Sequence, residues 1–284
     1  MKRYGFVAVV ALVVLLTSGC WPLVKPSGFA PLRYRDAISS GITKTADVTY
    51  GSAENSEGEI VDLKLDVYSP TGDTVTGRPA MIWAHGGSFS SGNKASPEIV
   101  DEANTFAAKG YVNFSISYRL HPSGCSAGAP SPACVSAINA AVIDAQHAVR
   151  FVRENAASYG VDPNRIGIGG SSAGGIIAMH VAYRTGENQT AAVQAGVSLS
   201  GANILSAYDV NDAPTFLMHN SVDPLVPYQW AVNTEGGAKA AGTYAWLTTW
   251  TGSGHVPYVE HRQQILDQTS NFLYKMLDLA NAPR

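Results

Sequence analysis

Hydrophobic and polar residues alternate along this chain with two different periods. From Asp62 to Tyr68 every second residue is apolar, which predicts a strand with one buried face, paired with another strand over 46–50. Short segments rich in apolar residues recur downstream and predict strands that are buried on both faces. These segments are Ala80–Ala84, 111–118, Arg165–Gly169, 192–200, 214–220 and 244–250.

Helical patterns lie between these strands. Ser96 as N-cap, Pro97 at the first helical position and Gly110 as stop predict a helix over 97–109. Further helices are predicted over 135–158, 176–183, 229–241 and 258–279. Because strands and helices alternate from residue 80 onward, the pattern favours an α/β fold, a parallel sheet covered by helices on both faces. We assign residues 44–284 to this domain.

The N-terminus resembles a targeting segment. Lys2 and Arg3 precede an apolar run from Phe6 to Leu16, which is shorter than the ~20 residues that span a bilayer. The following residues, Leu16 to Cys20, resemble a bacterial lipobox. We therefore interpret residues 1–19 as a signal peptide, Cys20 as a lipidated anchor to the cell membrane, and residues 20–43 as a tether. Ordinary cleavage or an uncleaved short anchor remain the alternatives.

Composition and cysteine content limit the classes of partner and cofactor to be expected. The net charge of −3 and the pI of about 6.1 give no indication of nucleic-acid binding. In an exported protein Cys125 and Cys134 are candidates for a disulfide, with two free thiols as the alternative. No further ligands stand at zinc spacing, so no metal is expected. The oligomeric state is not readable from the sequence.

The segment Gly170-Ser-Ser-Ala-Gly174 fits the pattern G-x-S-x-G. It follows an apolar strand and precedes a helix, as a nucleophile elbow does, so Ser172 is the candidate nucleophile. Small residues on both sides leave its hydroxyl accessible. The alternative is an ordinary glycine-rich or phosphate-binding turn.

A serine hydroxyl needs a base to take its proton. Asp223 and His255 each follow a predicted strand, where ligands gather in open α/β sheets. We expect His255 to act as the base and Asp223 to orient its ring. The rival candidates occupy less suitable places: Asp209 and Asp212 precede a strand, His219 and His180 lie within a strand and a helix, and His261 lies in the terminal helix.

The turn from His85 to Phe89 carries two glycines, which let backbone N–H groups approach a substrate closely. We assign the oxyanion donors to the backbones of Gly87, Ser88 and Ala173. His85 is interpreted as a structural residue of this turn.

Together these motifs resemble the α/β-hydrolase superfamily, and within it the carboxylesterases of the hormone-sensitive-lipase-like and bacterial feruloyl-esterase-like groups. The resemblance rests on His85–Phe89, Ser117–Leu120, Gly160–Gly167, Gly170–Gly175, Asp223–Pro227 and His255, and runs from about residue 60 to the end. It implies an eight-stranded, mostly parallel sheet and ester hydrolysis without a cofactor.

The spacing after Ser172 also bears on the substrate. Residues 200–212 are too few for a helical lid, so an open site without a large lid is expected. Such a site suits short-chain or carrier-bound acyl esters, attacked through an acyl-enzyme intermediate. A serine peptidase of the same fold and a catalytically silent surface binding protein are the alternatives.

Overall fold

The computed structural model describes residues 23–183 and 189–284. The predicted signal peptide over 1–19 and the predicted lipidation site Cys20 lie outside the described residues. The strands are β1 Ile42–Glu54, β2 Ile60–Pro70, β3 Arg78–Ala84, β4 Val112–Ile116, β5 Val161–Ser171, β6 Ala195–Leu199, β7 Thr215–Val222 and β8 Ala245–Ser253. The helices are α1 Pro97–Ala108, α2 Pro132–Glu154, α3 Ala156–Tyr159, α4 Ala173–Ala182, α5 Tyr228–Ala240 and α6 Tyr258–Met276.

The eight strands form a single sheet in the order β1-β2-β4-β3-β5-β6-β7-β8. β2 is antiparallel to both of its neighbours, and every pair from β4 to β8 is parallel. The predicted mostly parallel, eight-stranded sheet is therefore confirmed. Because parallel strands end at the same edge, the loops after β3, β5, β7 and β8 meet there.

Helices cover both faces of the sheet. Along β3, Ile82 belongs to the core cluster that includes Val142 of α2, whereas the next residue, Trp83, packs on the opposite face against Phe106 of α1. Neighbouring residues of a strand point to opposite faces, so a continuous apolar run is what a doubly covered strand requires. Within the described residues, no helix is both long and apolar enough to cross a bilayer.

The N-terminal segment departs from the prediction. Residues 20–43 were expected to form a tether, but in the described part Tyr34 is fully buried and its hydroxyl donates to the Pro283 carbonyl over 2.6 Å. Its ring packs edge-on against Tyr111, and β1 already begins at Ile42. The tether prediction is therefore wrong for this stretch, because burial of Tyr34 makes it part of the domain.

The predicted helix over 135–158 also differs in its ends. It begins at Pro132, because the Ser131 side chain accepts the Cys134 N–H and caps the helix one turn earlier. At its other end Asn155 leaves helical geometry, so the segment divides into α2 and α3. This earlier start places Cys134 in the first turn of α2.

Candidate active site

Ser172 stands at the turn between β5 and α4, as the sequence predicts. Its backbone has φ 52° and ψ −119°, a conformation that non-glycine residues rarely adopt. The two glycines of the motif are required by packing: a Cβ at Gly170 or at Gly174 would lie 2.3 or 1.9 Å from the carbonyl oxygen of Ala84. The elbow therefore packs directly against the end of β3. The Ser172 N–H also donates to the Leu199 carbonyl at the end of β6.

The structure brings Ser172, His255 and Asp223 together. His255 Nε2 lies 2.7 Å from Ser172 Oγ, and His255 Nδ1 lies 2.8 and 3.0 Å from the two carboxylate oxygens of Asp223. Asp223 directly follows β7, and His255 follows β8. Since these strands are parallel neighbours, the loops after them reach the same edge of the sheet. This is the connected arrangement in which a histidine can take a serine proton.

Three groups donate hydrogen bonds to the Asp223 carboxylate, and His219 lies beside it. Besides His255, the N–H groups of Leu225 and Val226 donate to Oδ1 over 2.9 and 3.0 Å, and His219 Nε2 lies 3.3 Å from Oδ2. Burial favours the neutral acid, but the interactions with His219, His255 and the two amides outweigh it. They hold the pKa of Asp223 well below its usual value. The carboxylate therefore stays charged beside the His255 ring and can stabilise an imidazolium.

Sequence reasoning assigned His219 a purely structural place in a strand. In the structure its ring is fully buried behind Asp223, and Nε2 also donates to the Val226 carbonyl over 2.9 Å. His219 therefore ties the acid to the loop that carries it. The signal in the sequence was a histidine four residues before the acid, at the end of the same strand.

The rival acids and histidines are held elsewhere. His180 Nδ1 lies 2.7 Å from the Ser206 hydroxyl, His261 stacks on Trp250, and the Asp212 carboxylate accepts the N–H of Asp209. These contacts agree with the assignments of Asp223 and His255 at the sheet edge.

The turn after β3 lies beside Ser172. A Cβ at Gly86 would come within 3.3 Å of Ser172 Cβ. Gly87 has φ 116°, and a Cβ there would lie 2.2 Å from the Ser91 carbonyl oxygen, so this position requires glycine. Ser88 and Phe89 also have positive φ angles, 54° and 60°.

Hydrogen bonds set the direction of the peptide groups in this turn. The Gly87 carbonyl accepts the N–H groups of Ser90 and Ser91, and the Gly86 carbonyl lies 2.6 Å from His85 Nδ1. In a trans peptide the carbonyl and the following N–H point in opposite directions, so the N–H groups of Gly87 and Ser88 point away from those partners. Within the described part of the chain, no protein acceptor pairs with either N–H.

His85 is buried inside the same turn. Its ring stacks on Tyr118 at 4.2 Å, and the Tyr118 hydroxyl donates to the His85 carbonyl. Burial lowers the pKa of His85 to about 4, so its ring is neutral at physiological pH. This agrees with a structural role.

Two spaces meet at Ser172. The first, which we call the apolar cavity, has a volume of about 160 Å³ and is lined by Phe89, Ile138, Ile176, Trp230 and the loop from Cys125 to Cys134. The second, which we call the open cleft, is larger, about 440 Å³, and includes Gly87, Glu98 and His255.

A disulfide bond and a glutamate border these two spaces. The predicted disulfide between Cys125 and Cys134 is confirmed, and it borders the apolar cavity.

Glu98 was not singled out from the sequence. It lies on α1 beside the open cleft, and burial raises its pKa to about 7. The described residues contain no group of three or more His, Cys, Asp and Glu side chains that could hold a metal ion.

Comparison with known proteins gives two matching family models. The phospholipase/carboxylesterase model matches residues 136–277, half of the chain, and the BD-FAE model matches residues 65–205. Phenmedipham hydrolase of Pseudarthrobacter oxydans is 36% identical over 113 residues, which cover 39% of this chain and 21% of the hydrolase. Carboxylesterase NlhH of Mycobacterium tuberculosis is 35% identical over 120 residues, 42% of this chain and 33% of that enzyme.

The chain thus spans a third or less of the length of these relatives. Among solved structures, esterase 2 of Thermogutta terrifontis phosphorylated by paraoxon is similar, with a TM-score of 0.68 and 24% identity over 86% of this chain and 97% of the esterase. That similarity establishes the fold. With the family model covering half of the sequence, the chain belongs to the phospholipase/carboxylesterase family of α/β-hydrolases.

Proposed function

We propose that this protein is a serine carboxylic-ester hydrolase that acts on short-chain or carrier-bound acyl esters through an acyl-enzyme intermediate. The observation that carries the proposal is the hydrogen-bonded series from Ser172 Oγ to His255 Nε2, and from His255 Nδ1 to Asp223, at 2.7 and 2.8 Å. Both are hydrogen-bond distances, as expected between a nucleophile and its base and between that base and the acid that orients it.

In the first half of the reaction Ser172 Oγ attacks the ester carbonyl carbon while His255 Nε2 takes the hydroxyl proton. The carbonyl oxygen becomes an oxyanion that accepts hydrogen bonds from the backbone N–H groups of Gly87, Ser88 and Ala173. The ester C–O bond then breaks, and the alcohol leaves with the proton from His255. Asp223 stabilises the imidazolium throughout this half-reaction.

In the second half, water attacks the acyl-enzyme carbonyl and gives its proton to His255. The same backbone N–H groups stabilise the second oxyanion. The bond between the acyl carbon and Ser172 Oγ breaks, His255 returns the proton to the serine oxygen, and the carboxylic acid leaves. No cofactor enters either half of this mechanism.

The two spaces around Ser172 support an assignment of the two substrate halves. His255 must reach the departing alcohol oxygen, and it borders the open cleft; we therefore place the alcohol there. The acyl group then occupies the apolar cavity. An open cleft on the alcohol side accommodates a bulky carrier, whereas the small cavity on the acyl side favours a short chain.

The test is hydrolysis of a p-nitrophenyl ester series, from acetate to decanoate, by the full-length protein. The esterase of Thermogutta terrifontis has been solved with propionate and with butyrate bound, so short acyl esters are the first substrates to try. Activity is expected on acetate and butyrate, and Ser172→Ala should lower kcat by roughly 10⁶-fold. Ser158→Ala, at an exposed serine on α3, is the matched control and should retain wild-type activity.

Paraoxon provides a second readout of the same serine. Wild type and Ser158→Ala should each take up one phosphoryl group, seen by mass spectrometry of the intact protein, and Ser172→Ala none. A folded wild-type protein that hydrolyses no ester and takes up no label would contradict the proposal. Cleavage of a peptide series would then support a peptidase, and its absence a binding role.

The localisation also stands as a proposal: export, and attachment to the bacterial membrane through a lipid on Cys20. The Cys125–Cys134 disulfide supports export, because such bonds persist in oxidising compartments. Mass spectrometry of the N-terminal peptide from the native host should find a lipidated Cys20. An unmodified N-terminus at another residue would contradict the anchor.

A further inference from the structure

The loop between Cys125 and Cys134 forms one wall of the apolar cavity. Cys125, Ala127, Pro130 and Cys134 all line it, while residues 126–129 are exposed on their other side. We call residues 126–131 the flap. It is a thin wall with the cavity beneath it and solvent above it, so its position decides where the cavity ends.

The disulfide fixes both ends of the flap to parts of the site. At one end Cys134 lies in the first turn of α2, the helix that also contributes Ile138 to the cavity. At the other end the Cys125 N–H donates to the Ser88 carbonyl over 2.8 Å. The bridge therefore connects the cavity wall on α2 with the turn that holds the proposed oxyanion donors.

The size of the cavity sets what fits beneath the flap. At about 160 Å³ it is close to the roughly 150 Å³ apolar cavity that holds a benzene molecule in another protein. An acyl chain of about six carbons therefore fills the space. Ile176 and Trp230 line the cavity from other elements, and the flap is a wall with solvent on its other side. We therefore expect a longer chain to displace the flap.

We propose that the Cys125–Cys134 disulfide is the determinant of acyl-chain length, because it holds the flap closed over the acyl cavity and admits acyl groups of up to about six carbons. This rests on the proposed esterase function and adds the device that selects the acyl group. Up to the limit each buried methylene should raise kcat/KM by about fourfold, the equivalent of ~0.8 kcal/mol. Beyond the limit kcat/KM should fall.

The experiment compares the p-nitrophenyl series from acetate to decanoate in wild type and in Cys125→Ala/Cys134→Ala, which removes both thiols of the bridge. Wild type should reach its maximum between butyrate and hexanoate and lose at least tenfold by decanoate. The double variant should raise the decanoate-to-butyrate ratio of kcat/KM at least tenfold. An equal loss on all chain lengths would overturn the proposal, as would a wild type that prefers decanoate.

A second pair of variants keeps the disulfide and covers the case in which the double variant does not fold. Ala127 lines the cavity and Ala129 is exposed on the same flap without lining it. Ala127→Phe should reduce hexanoate hydrolysis at least tenfold relative to acetate, and Ala129→Phe should leave the ratio unchanged. Identical profiles for the two variants would overturn the proposal. Failure of the esterase function is distinguishable, since wild type would then cleave none of the esters.

Discussion

Two groups of residues flank Ser172, and they act through different chemical groups. On one side, the loops after β7 and β8 carry charged or ionisable side chains, and hydrogen bonds from His255 and two amides hold the acid, with His219 beside it. On the other side, the turn after β3 presents backbone N–H groups, held by positive φ angles and by a disulfide-closed loop. We refer to these as the acid–base side and the oxyanion side.

Substitutions on the two sides should have different effects on the kinetics. Leu225 and Val226 of the acid–base loop also line the acyl cavity. A shape-preserving substitution of a catalytic side chain on this side changes a protonation state or an orientation but leaves that backbone in place, so kcat should fall while KM and chain-length preference remain. The oxyanion side shares its backbone with the cavity wall, because the Ser88 carbonyl accepts the Cys125 N–H. Substitutions there should change the rate and the acyl preference together.

Asp223→Asn is the strongest test of the acid–base side. An amide in place of the carboxylate preserves the shape but no longer stabilises an imidazolium, and it favours the wrong tautomer of His255. We expect kcat to fall by about 10⁴-fold, with KM and the ratio of butyrate to acetate hydrolysis within about threefold of wild type.

The matched control is Asp209→Asn, at a rival acid whose carboxylate binds within its own loop. It should retain wild-type kinetics. If the two variants lose activity equally, or if Asp223→Asn alters the acyl preference as strongly as the rate, the separation between the two sides is wrong.

Gly87→Ala tests the oxyanion side. Its added Cβ would lie 2.2 Å from the Ser91 carbonyl oxygen at a φ of 116°, so the turn must shift and carry the neighbouring N–H groups with it. Loss of one donor lowers kcat by roughly 10²–10³-fold. Because the turn borders the cavity, the acyl-length profile should change as well.

Gly58→Ala provides the comparison for backbone strain alone. Gly58 also has a positive φ, 83°, but nothing lies within 4 Å of an added Cβ. Gly87→Ala should lose more stability in thermal unfolding than Gly58→Ala, because it adds a clash with Ser91 to the strained φ, and only Gly87→Ala should lose activity. Equal kinetics in the two variants would argue against a role for this turn in the reaction.

The two sides also differ in how much of them could be predicted from the sequence. Ser172, Asp223 and His255 were identified because reactive side chains at the ends of strands leave a signal in residue type and order. The eight-stranded sheet was similarly predictable, since buried strands such as β3 are continuous apolar runs. Local chemistry and local periodicity were sufficient for both.

Features that depend on distant partners were not readable. Tyr34 is buried against Tyr111, and its hydroxyl donates to the carbonyl of Pro283. Both partners are far along the chain, and nothing near Tyr34 in the sequence distinguishes it from a tether residue. The same holds for the flap: two cysteines predicted a bridge, but its position over the cavity depends on the Ser88 carbonyl. Such placements follow from tertiary packing, which overrides local pattern.

His219 gives the smallest expected effect and tests whether the acid–base side depends on the shell behind Asp223. His219→Phe removes an N–H that lies 3.3 Å from the carboxylate and 2.9 Å from the Val226 carbonyl, while keeping a flat ring of similar size. The loop then loses one of its ties to the acid. At metal sites, loss of an outer hydrogen-bond partner lowers affinity or activity by about 10–100-fold. For this histidine behind a carboxylate we expect the lower end of that range, about tenfold, in kcat with KM unchanged.

A purely structural role would make the stability loss and the rate loss move together, and rescue separates the two. His219→Gln keeps an N–H donor near the position of Nε2 without an aromatic ring, so it should recover most of kcat even where its melting temperature stays as low as that of His219→Phe. If kcat instead follows the melting temperature across both variants, His219 only fills space. If His219→Phe has wild-type kcat, the hydrogen bonds from His255, Leu225 and Val226 suffice to hold Asp223, and the acid–base side is confined to the residues that the sequence already identified.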